Sequence, residues 1–419
     1  MFSNNKYVFR FILIFFGLII FPFPLTYIPY VNFIGVWISK FYKTIIPWLG
    51  NNVLSIQREI STEFTGSGDT TYGYLLILFY FCLAILGTII WSLIARKHRN
   101  HIKLNYWFLT ALRYWLGIAM LSYGLSKVVH LQMGSPNFYR LLEPYGDSSP
   151  MGLAWTYIGF SKGFSMFVGL AEVIGGILLF HRRTVIIGAL LLLSVTANVV
   201  AVNYFFDVPV KIYSTQLLIA TIIIIAPYTK RLFAVIFNYK ETAPFTYLRI
   251  FKQKKWYITK LSIKWVFIAY VLFTNINSVI SRKKASGRNL PRTQLYGLYE
   301  TVDFIRNSDT IPPLLTDASR WRYLLIESDR FVEIRAMDES KVFYKRDTLD
   351  SIEKRIQWSN FRDSTEIHHF KYKYTDSTMT IEGIYKNDTL KVDFTRRGAE
   401  DFILMGRGFN WINERPFNR

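Results

Sequence analysis

Seven long apolar stretches constrain this chain more than any other feature. They lie at 8–28, 73–95, 106–129, 164–180, 184–206, 212–227 and 261–280. A helix needs about 17–25 residues to cross a bilayer, and these stretches meet or closely approach that length. The first lacks a small-residue cleavage site, which indicates a retained anchor rather than a signal peptide. We therefore predict a multi-pass α-helical membrane protein, and a soluble cytosolic enzyme is excluded.

The positive charge of the chain is confined to its apolar part. Residues 1–292 hold 30 Lys and Arg against 8 Asp and Glu, whereas residues 293–419 hold 20 against 21. Basic loops that flank membrane spans explain this imbalance without a nucleic-acid partner. The bilayer is the expected partner of this part, and nucleic acid is not.

Loop charges also predict the orientation. With the N-terminus inside, the inner segments carry 16 Lys and Arg and the outer segments carry 11. Because basic residues concentrate on the cytoplasmic side, we predict a bacterial inner-membrane protein with a cytoplasmic N-terminus and a periplasmic C-terminal domain. The outer segment 29–72 has an amphipathic stretch suited to the interface, and 130–163 is expected to form an ordered cap over the bundle mouth.

After residue 292 the pattern changes to short strands. Alternating polar and apolar residues recur from RWRYLLIES to DFILMGRGF, and polar turns such as Lys386-Asn387-Asp388 suit tight hairpins. About eight strands in about 125 residues predict an all-β soluble domain, either a lipocalin-like barrel or a sandwich. Such a domain can hold a small ligand or can be a solid-cored interaction domain, and the second reading is favoured.

The third and fourth spans carry charged side chains in a glycine-rich stripe. Arg113, Gly117, Gly124 and Lys127 recur at helical spacing on one span, and Glu172 lies on the next among Ser165, Gly169 and Gly176. Ionisable groups inside a span are functional candidates by default. We expect an Arg113–Glu172 pair across the two helices, with Lys127 near the outer rim, where its stem can snorkel.

Uncharged polar residues on the following spans complete the candidate intramembrane site. They are Asn198, Asn203 and Gln216. Three roles fit the site: a buried ion pair that keeps the helices in register, a proton or quinone-headgroup site, and a polar transport path. No metal site is expected, because Cys82 is the single cysteine and His368 and His369 would face opposite sides of a strand.

Segment 106–230 resembles the DoxX-like integral membrane proteins. The resemblance rests on RYWLGIAMLSYGLSKVV around Arg113 and Lys127, on GLAEVIGGILLFHRRTVIIGALLLL around Glu172, and on a following helix that ends at Pro227. It implies a four-helix core with extra spans, as in the longer DoxX-like proteins of Bacteroidetes-type bacteria. Some members of that family are linked to quinone-coupled oxidation of sulfur compounds.

Four regions follow from these patterns: 1–105 with two spans and an outer loop, the 106–230 bundle, 231–292 with a basic loop, the seventh span and a linker, and the 293–419 β-rich domain. The leading hypothesis is an inner-membrane subunit of a larger assembly with a polar pocket around Arg113, Glu172 and Asn198. In a redox-linked assembly that pocket would bind a quinone or a lipid headgroup, and the sequence shows no cofactor motif of its own. The alternatives are a non-catalytic scaffold that binds envelope proteins through its outer loops and tail, and a carrier of a small lipophilic molecule.

Overall fold

The computed structural model describes residues 5–28, 30–31, 33–95, 101–242, 253–285, 294–328, 331–363 and 365–418. Residues 243–252 of the predicted basic loop and 286–292 of the predicted linker lie outside the described residues. Contacts divide the chain into two compact units. The helical unit comprises Met1–Met133 and Ser149–Ile280, and the barrel unit comprises Gly134–Ser148 and Ser281–Arg419.

Helices occupy the first two thirds of the described chain. In chain order they are α1 (Lys6–Ile20), α2 (Phe33–Asn52), α3 (Thr71–Ile94), α4 (Ile102–Val128), α5 (Phe138–Leu141), α6 (Pro150–Phe160), α7 (Lys162–Phe180), α8 (Val185–Phe205), α9 (Lys211–Ile225), α10 (Thr229–Ile236) and α11 (Lys254–Ala285). Within the helical unit α4 packs on α7, α7 on α8, α8 on α9 and α9 back on α4. This ring is the four-helix core expected over 106–230.

Five of the helices in the described residues are long and apolar enough to cross a membrane. They are α3, α7, α8, the continuous stretch Lys211–Ile236, and α11. The helices at the predicted spans 8–28 and 106–129 each fail one of the two requirements, length or apolar character. Helix α1 has 15 residues and ends at Ile20, just before Pro22 and Pro24, which cannot continue a helix. Helix α4 has 27 residues, but its cationic side chains lower its apolar character.

The C-terminal strands form a closed antiparallel barrel. In chain order they are β1 (Gly297–Arg306), β2 (Asp309–Thr310), β3 (Trp321–Ser328), β4 (Phe331–Ala336), β5 (Lys341–Asp350), β6 (Arg355–Asn360), β7 (Ile367–Tyr374), β8 (Thr378–Tyr385) and β9 (Asp388–Arg397). Each strand pairs with the next, except that the two-residue β2 pairs only with the end of β1, and β1 also pairs with β3 and β9. The prediction of a barrel or sandwich is therefore resolved in favour of an eight-stranded barrel.

Turn chemistry and barrel closure explain the ends of the strands. Lys386 and Asn387 both adopt positive φ, which is the two-residue turn geometry that matches the twist of β8 and β9. The predicted last strand, DFILMGRGF, is wrong: a 3₁₀ turn and the short helix α12 (Ile403–Gly406) replace it. Because β9 already pairs with β1, the barrel offers this segment no neighbouring strand. The Asp401 carboxylate instead accepts the Gly398 N–H at 2.7 Å.

Aromatic side chains fill the interior of the barrel. Trp321, Trp358 and Phe370 belong to one buried cluster of 18 residues that includes side chains from β1 and β3–β9. The rings of Trp358 and Phe370 are 4.8 Å apart, and those of Trp321 and Trp358 are 6.4 Å apart. Close packing of this kind is that of a domain core, so the structure favours the solid-cored reading of the β domain.

Candidate functional site

The two helices of the predicted stripe are in backbone contact. Helices α4 and α7 run antiparallel, and a Cβ atom on Gly124 would lie 2.7 Å from the Gly169 carbonyl oxygen. A Cβ on Gly117 would likewise lie 3.0 Å from the Gly176 oxygen. The glycines at i and i+7 on each helix therefore face each other. Small residues let membrane helices approach this closely and gain packing energy.

Lys127 and Glu172 form a buried ion pair beside these glycines. The Lys127 Nζ lies 2.9 Å from Glu172 Oε1 and 3.0 Å from Oε2. Lys127 is 5% exposed and Glu172 is 1% exposed. The hydroxyl of Ser165, also fully buried, donates to the Lys127 carbonyl oxygen at 3.0 Å. The pair therefore neutralises two charges within the contact and ties the end of α4 to α7.

The expected Arg113–Glu172 pair is wrong. Lys127 is one residue from the end of α4, but its side chain is buried against Glu172 and does not snorkel. The glycine contacts set a register in which residue 172 lies opposite residue 121 of α4. Arg113 is eight residues from that point, or about 12 Å along the axis. Its guanidinium Nε and Nη2 instead donate to the Leu179 carbonyl oxygen at 3.1 and 2.8 Å. The matching i,i+7 glycine spacing in the sequence was the signal that could have predicted this register.

The three uncharged residues of the predicted site are dispersed. Asn203 is buried and its amide donates to the Val210 carbonyl oxygen at 3.4 Å, which tightens the α8–α9 connection. Gln216 is half-buried on α9. Asn198 is exposed on α8. The expected pocket around Arg113, Glu172 and Asn198 is therefore not assembled, and Lys127 with Glu172 remains as the core of the candidate site.

Replacing Gly169 by alanine tests the close helix contact. The added methyl carbon would lie 2.6 Å from the Gly124 oxygen and 2.8 Å from the Val128 nitrogen, both backbone atoms that cannot rotate away. We expect Gly169→Ala to lower the free energy of unfolding by about 1–3 kcal/mol, measured by thermal unfolding in detergent. Gly163→Ala on the same helix is the matched control, because its nearest atom is a serine hydroxyl at 3.8 Å. Equal free energies of unfolding for the two variants would contradict the close backbone contact of α4 and α7 at Gly169.

Arg10, one of the 16 Lys and Arg assigned to the inner segments, is a buried charge. It is fully buried in α1, and its guanidinium donates to Ser92 Oγ at 2.9 Å and to the Ala95 carbonyl oxygen at 3.1 Å. The guanidinium also lies 5.3 Å from the centre of the Trp91 ring. Arg10 and Arg113 thus have the same structural role. Each donates hydrogen bonds to a carbonyl oxygen at the C-terminal end of a neighbouring helix, where the helix dipole is negative. Neither contact could be located without the packing of the helices.

A second polar cluster lies in the barrel around Glu366. Its carboxylate accepts hydrogen bonds from Asn360 at 2.6 Å and Tyr344 at 3.2 Å, and His368 Nε2 lies 2.8 Å from it. Burial alone would raise the pKa of Glu366, but these hydrogen bonds outweigh it and hold the pKa below its ordinary value. His368 is buried and His369 exposed, as the alternation predicted. The described residues contain no group of three His, Cys, Asp or Glu side chains that could hold a metal ion.

The segment that joins α4 to α6 is built into the barrel unit. Phe138 packs on Leu298 and Leu325 of the strands, and its N–H donates to Glu327 Oε1 at 2.9 Å. Arg335 of β4 donates from Nη1 to the Leu142 carbonyl oxygen at 2.9 Å. Gly134–Ser148, the middle of the 130–163 segment that was expected to cap the bundle mouth, therefore covers part of the outside of the barrel. It must also lie on the same side of the membrane as the barrel, because the two are in contact.

This arrangement predicts the result of a labelling experiment. Four candidate spans, α7, α8, α9–α10 and α11, separate the segment from the barrel, and an even number returns the chain to one side. In a Cys82→Ser background, we expect Ser148→Cys and Asp388→Cys to react with a membrane-impermeant maleimide from one side. Asn238→Cys, between α10 and α11, should react only from the other. Labelling of Ser148→Cys and Asp388→Cys from opposite sides would contradict the shared unit.

The chain is thus a multi-pass helical membrane protein that carries a C-terminal antiparallel β-barrel. A stretch of 116 residues, 27% of the chain, is 31% identical to the uncharacterized protein YwoB of Bacillus subtilis (strain 168) and covers 71% of that protein. The chain therefore belongs to the YwoB family. No protein-family model and no solved structure matches it. The resemblance to DoxX-like proteins stays a prediction.

Proposed function

We propose that this protein is a non-catalytic scaffold subunit of a larger assembly in the bacterial inner membrane. The helices anchor the subunit, and the barrel with its C-terminal tail binds a partner protein of the cell envelope. From the loop charges we place the N-terminus in the cytoplasm and the barrel in the periplasm. This proposal takes the second of the sequence hypotheses in preference to a redox-linked pocket.

The Lys127–Glu172 pair is the observation that carries the proposal. Both oxygens of the carboxylate lie within hydrogen-bonding distance of the ammonium group, and both residues are almost fully buried. Helix backbones in contact at Gly124 and Gly169 close the space beside the pair. A charge pair satisfied in this way holds two helices in register and does not leave a group free for chemistry. The filled barrel core likewise supports a binding surface rather than a ligand carrier.

Exposed aromatic residues supply the partner surface. Phe409 and Trp411 are in ring contact at 5.0 Å, and they are 78% and 91% exposed in the tail that follows α12. Large aromatic side chains dominate the energy of protein interfaces, and exposed apolar patches mark interaction sites. An open groove of about 1410 Å³ along β6–β9, with Lys371, Glu382 and Lys391 in its lining, adds a charged surface.

Native mass spectrometry of the protein from its own membranes tests this proposal. We expect a stable protein partner with the wild-type chain and its loss in the double variant Phe409→Ala/Trp411→Ala. Tyr30→Ala is the matched control, because Tyr30 is 94% exposed in the helical unit. A partner retained equally by all three proteins would contradict the tail as the docking site. Mass spectra in which the wild-type chain has no protein partner would contradict the proposed scaffold function.

A quinone or lipid headgroup bound at the ion pair is the second candidate function. The observation that favours it is Tyr123, whose ring centre lies 5.7 Å from Lys127 Nζ and whose side chain is 37% exposed. A headgroup reaching the Tyr123 face of α4 from the bilayer would be close to the charges. A quinone found in the same mass spectra, and lost with Glu172→Gln in a folded protein, would support this function instead.

A further inference from the structure

Basic side chains from three elements converge at the end of the bundle where α4 begins and α7 ends. The elements are α4, the α7–α8 turn and α11, and the residues are Arg113, His181, Arg182, Arg183, Lys260 and Lys264. Lys264 interacts electrostatically with Arg113, Lys260 and Arg182. His181 is within the electrostatic range of Lys264 and all three arginines. Charges of one sign are thus held together although they repel each other.

Ring packing holds these elements in place. The Tyr114 ring lies 5.2 Å from that of Phe180 at the end of α7 and 6.1 Å from that of Phe267 on α11. The Lys260 ammonium donates to the Tyr106 hydroxyl at 2.5 Å. Arg113, as described above, is fixed on the Leu179 carbonyl oxygen. The cluster is therefore positioned by the fold and is not a set of independent surface lysines.

Protein carboxylates are scarce at this end. Residues 1–292 contain eight acidic residues, and on the loop assignment only Glu241 belongs to this side. Glu172 is bound by Lys127. Asp69 accepts the Lys211 N–H at the start of α9, which is the opposite end of the bundle. The loop charges predict that the barrel, with its carboxylates, lies on the outer side of the membrane. The 16 Lys and Arg of the inner segments thus far exceed the one carboxylate that the loop assignment places on this side.

We propose that this cluster binds the phosphate of an anionic phospholipid. The side chains of Arg113, Lys260 and Lys264 are half-buried, and we place the cluster at the depth where the spans meet the headgroups, because Arg113 binds a carbonyl in the last turn of α7. Tyrosine and tryptophan rings such as Tyr106 and Trp265 are typical of that depth. A basic pocket between spans on the cytoplasmic side is the arrangement that binds acidic headgroups, with about 1 kcal/mol per cation. Burial and the nearby cations lower the pKa of His181, so the arginines and lysines provide the charge at neutral pH.

Lipid titration by native mass spectrometry tests this site. The purified full chain is titrated in detergent with dioleoylphosphatidylglycerol and, in parallel, with dioleoylphosphatidylcholine. We expect tighter binding of phosphatidylglycerol, weakened about fivefold by Arg182→Gln or Lys264→Gln and about 25-fold by both together. Lys283→Gln is the matched control, because Lys283 is an exposed cation at the other end of α11. It should leave binding unchanged.

Each remaining outcome would overturn the proposal. Equal binding of the two lipids, or an equal loss with Lys283→Gln, would show general charge attraction rather than a site. Displacement of phosphatidylglycerol by millimolar inorganic phosphate would show a soluble anion site. Thermal unfolding of each variant checks that it is folded, and Arg113 is left intact because its guanidinium is hydrogen-bonded to the end of α7. Normal binding by the folded double variant would exclude the cluster.

Discussion

Lys127→Met alone should lower the free energy of unfolding by about 3–5 kcal/mol, and Lys127→Met with Glu172→Leu should regain most of that loss. Removal of one partner leaves the other charge buried without compensation, whereas removal of both leaves an apolar contact. Both residues are nearly inaccessible, and their direct hydrogen bonds are 2.9 and 3.0 Å long. The measurement is thermal or denaturant unfolding in detergent, followed by tryptophan fluorescence.

The same variants separate the two candidate functions. Lys162→Met on the exposed start of α7 is the control and should change stability by less than about 0.5 kcal/mol. If the pair only holds the helices, the double variant should keep its protein partner. Loss of a bound quinone from the folded double variant would show that Lys127 and Glu172 form the quinone site. A double variant as unstable as Lys127→Met would show that the charges are not coupled.

Arg335→Met is expected to destabilise the barrel by about 3–5 kcal/mol. Arg335 donates to Glu333 Oε1 from Nη2 at 2.9 Å and from Nε at 3.2 Å, and both residues are 1% exposed. The substitution also removes the hydrogen bond to Leu142. We therefore expect faster hydrogen exchange in 134–148, measured together with the midpoint of thermal unfolding.

An exposed ion pair on the neighbouring strand provides the control for this prediction. Arg322 pairs with Glu339, whose carboxylate also lies 3.6 Å from Arg335 Nη1. The side chains of Arg322 and Glu339 are 35% and 44% exposed, so Arg322→Met should cost about 0–1 kcal/mol. The double variant Glu333→Leu/Arg335→Met should recover stability but not the hydrogen-exchange protection of 134–148. Protection retained in both Arg335 variants would mean that Phe138 alone holds the segment.

Local patterns in the sequence predicted most of the elements. Hydropathy located the spans at 73–95, 164–180, 184–206, 212–227 and 261–280, and residue alternation with Lys386-Asn387 located most of the strands and one of their hairpins. The glycine spacing also predicted that α4 and α7 approach closely. These inferences succeeded because periodicity and turn conformation depend on residues near each other in the chain. The segment 401–409 failed because its alternation had no strand left to pair with.

The candidate site was only half determined by the sequence. Its residue types were predicted, since a charge inside a span is conspicuous in any apolar stretch. The partner of Glu172 was not, because helix centres give the depth of a residue only to within a few turns and the register depends on which glycines meet. Arg10 was missed for a related reason: its acceptors lie 82 and 85 residues away in the chain.

The sequence by itself therefore determined a helical membrane part, a β-rich tail, the strongly basic loops and the glycine-rich stripe with its buried charges. Only the tertiary structure decided that Lys127 binds Glu172, that Gly134–Ser148 belongs with the barrel, and that the cations around Arg113 converge. The physical reason is the range of the interactions. Hydropathy and turn preferences are carried by neighbouring residues, whereas ion pairs and helix-end contacts depend on register between segments that are distant in the chain.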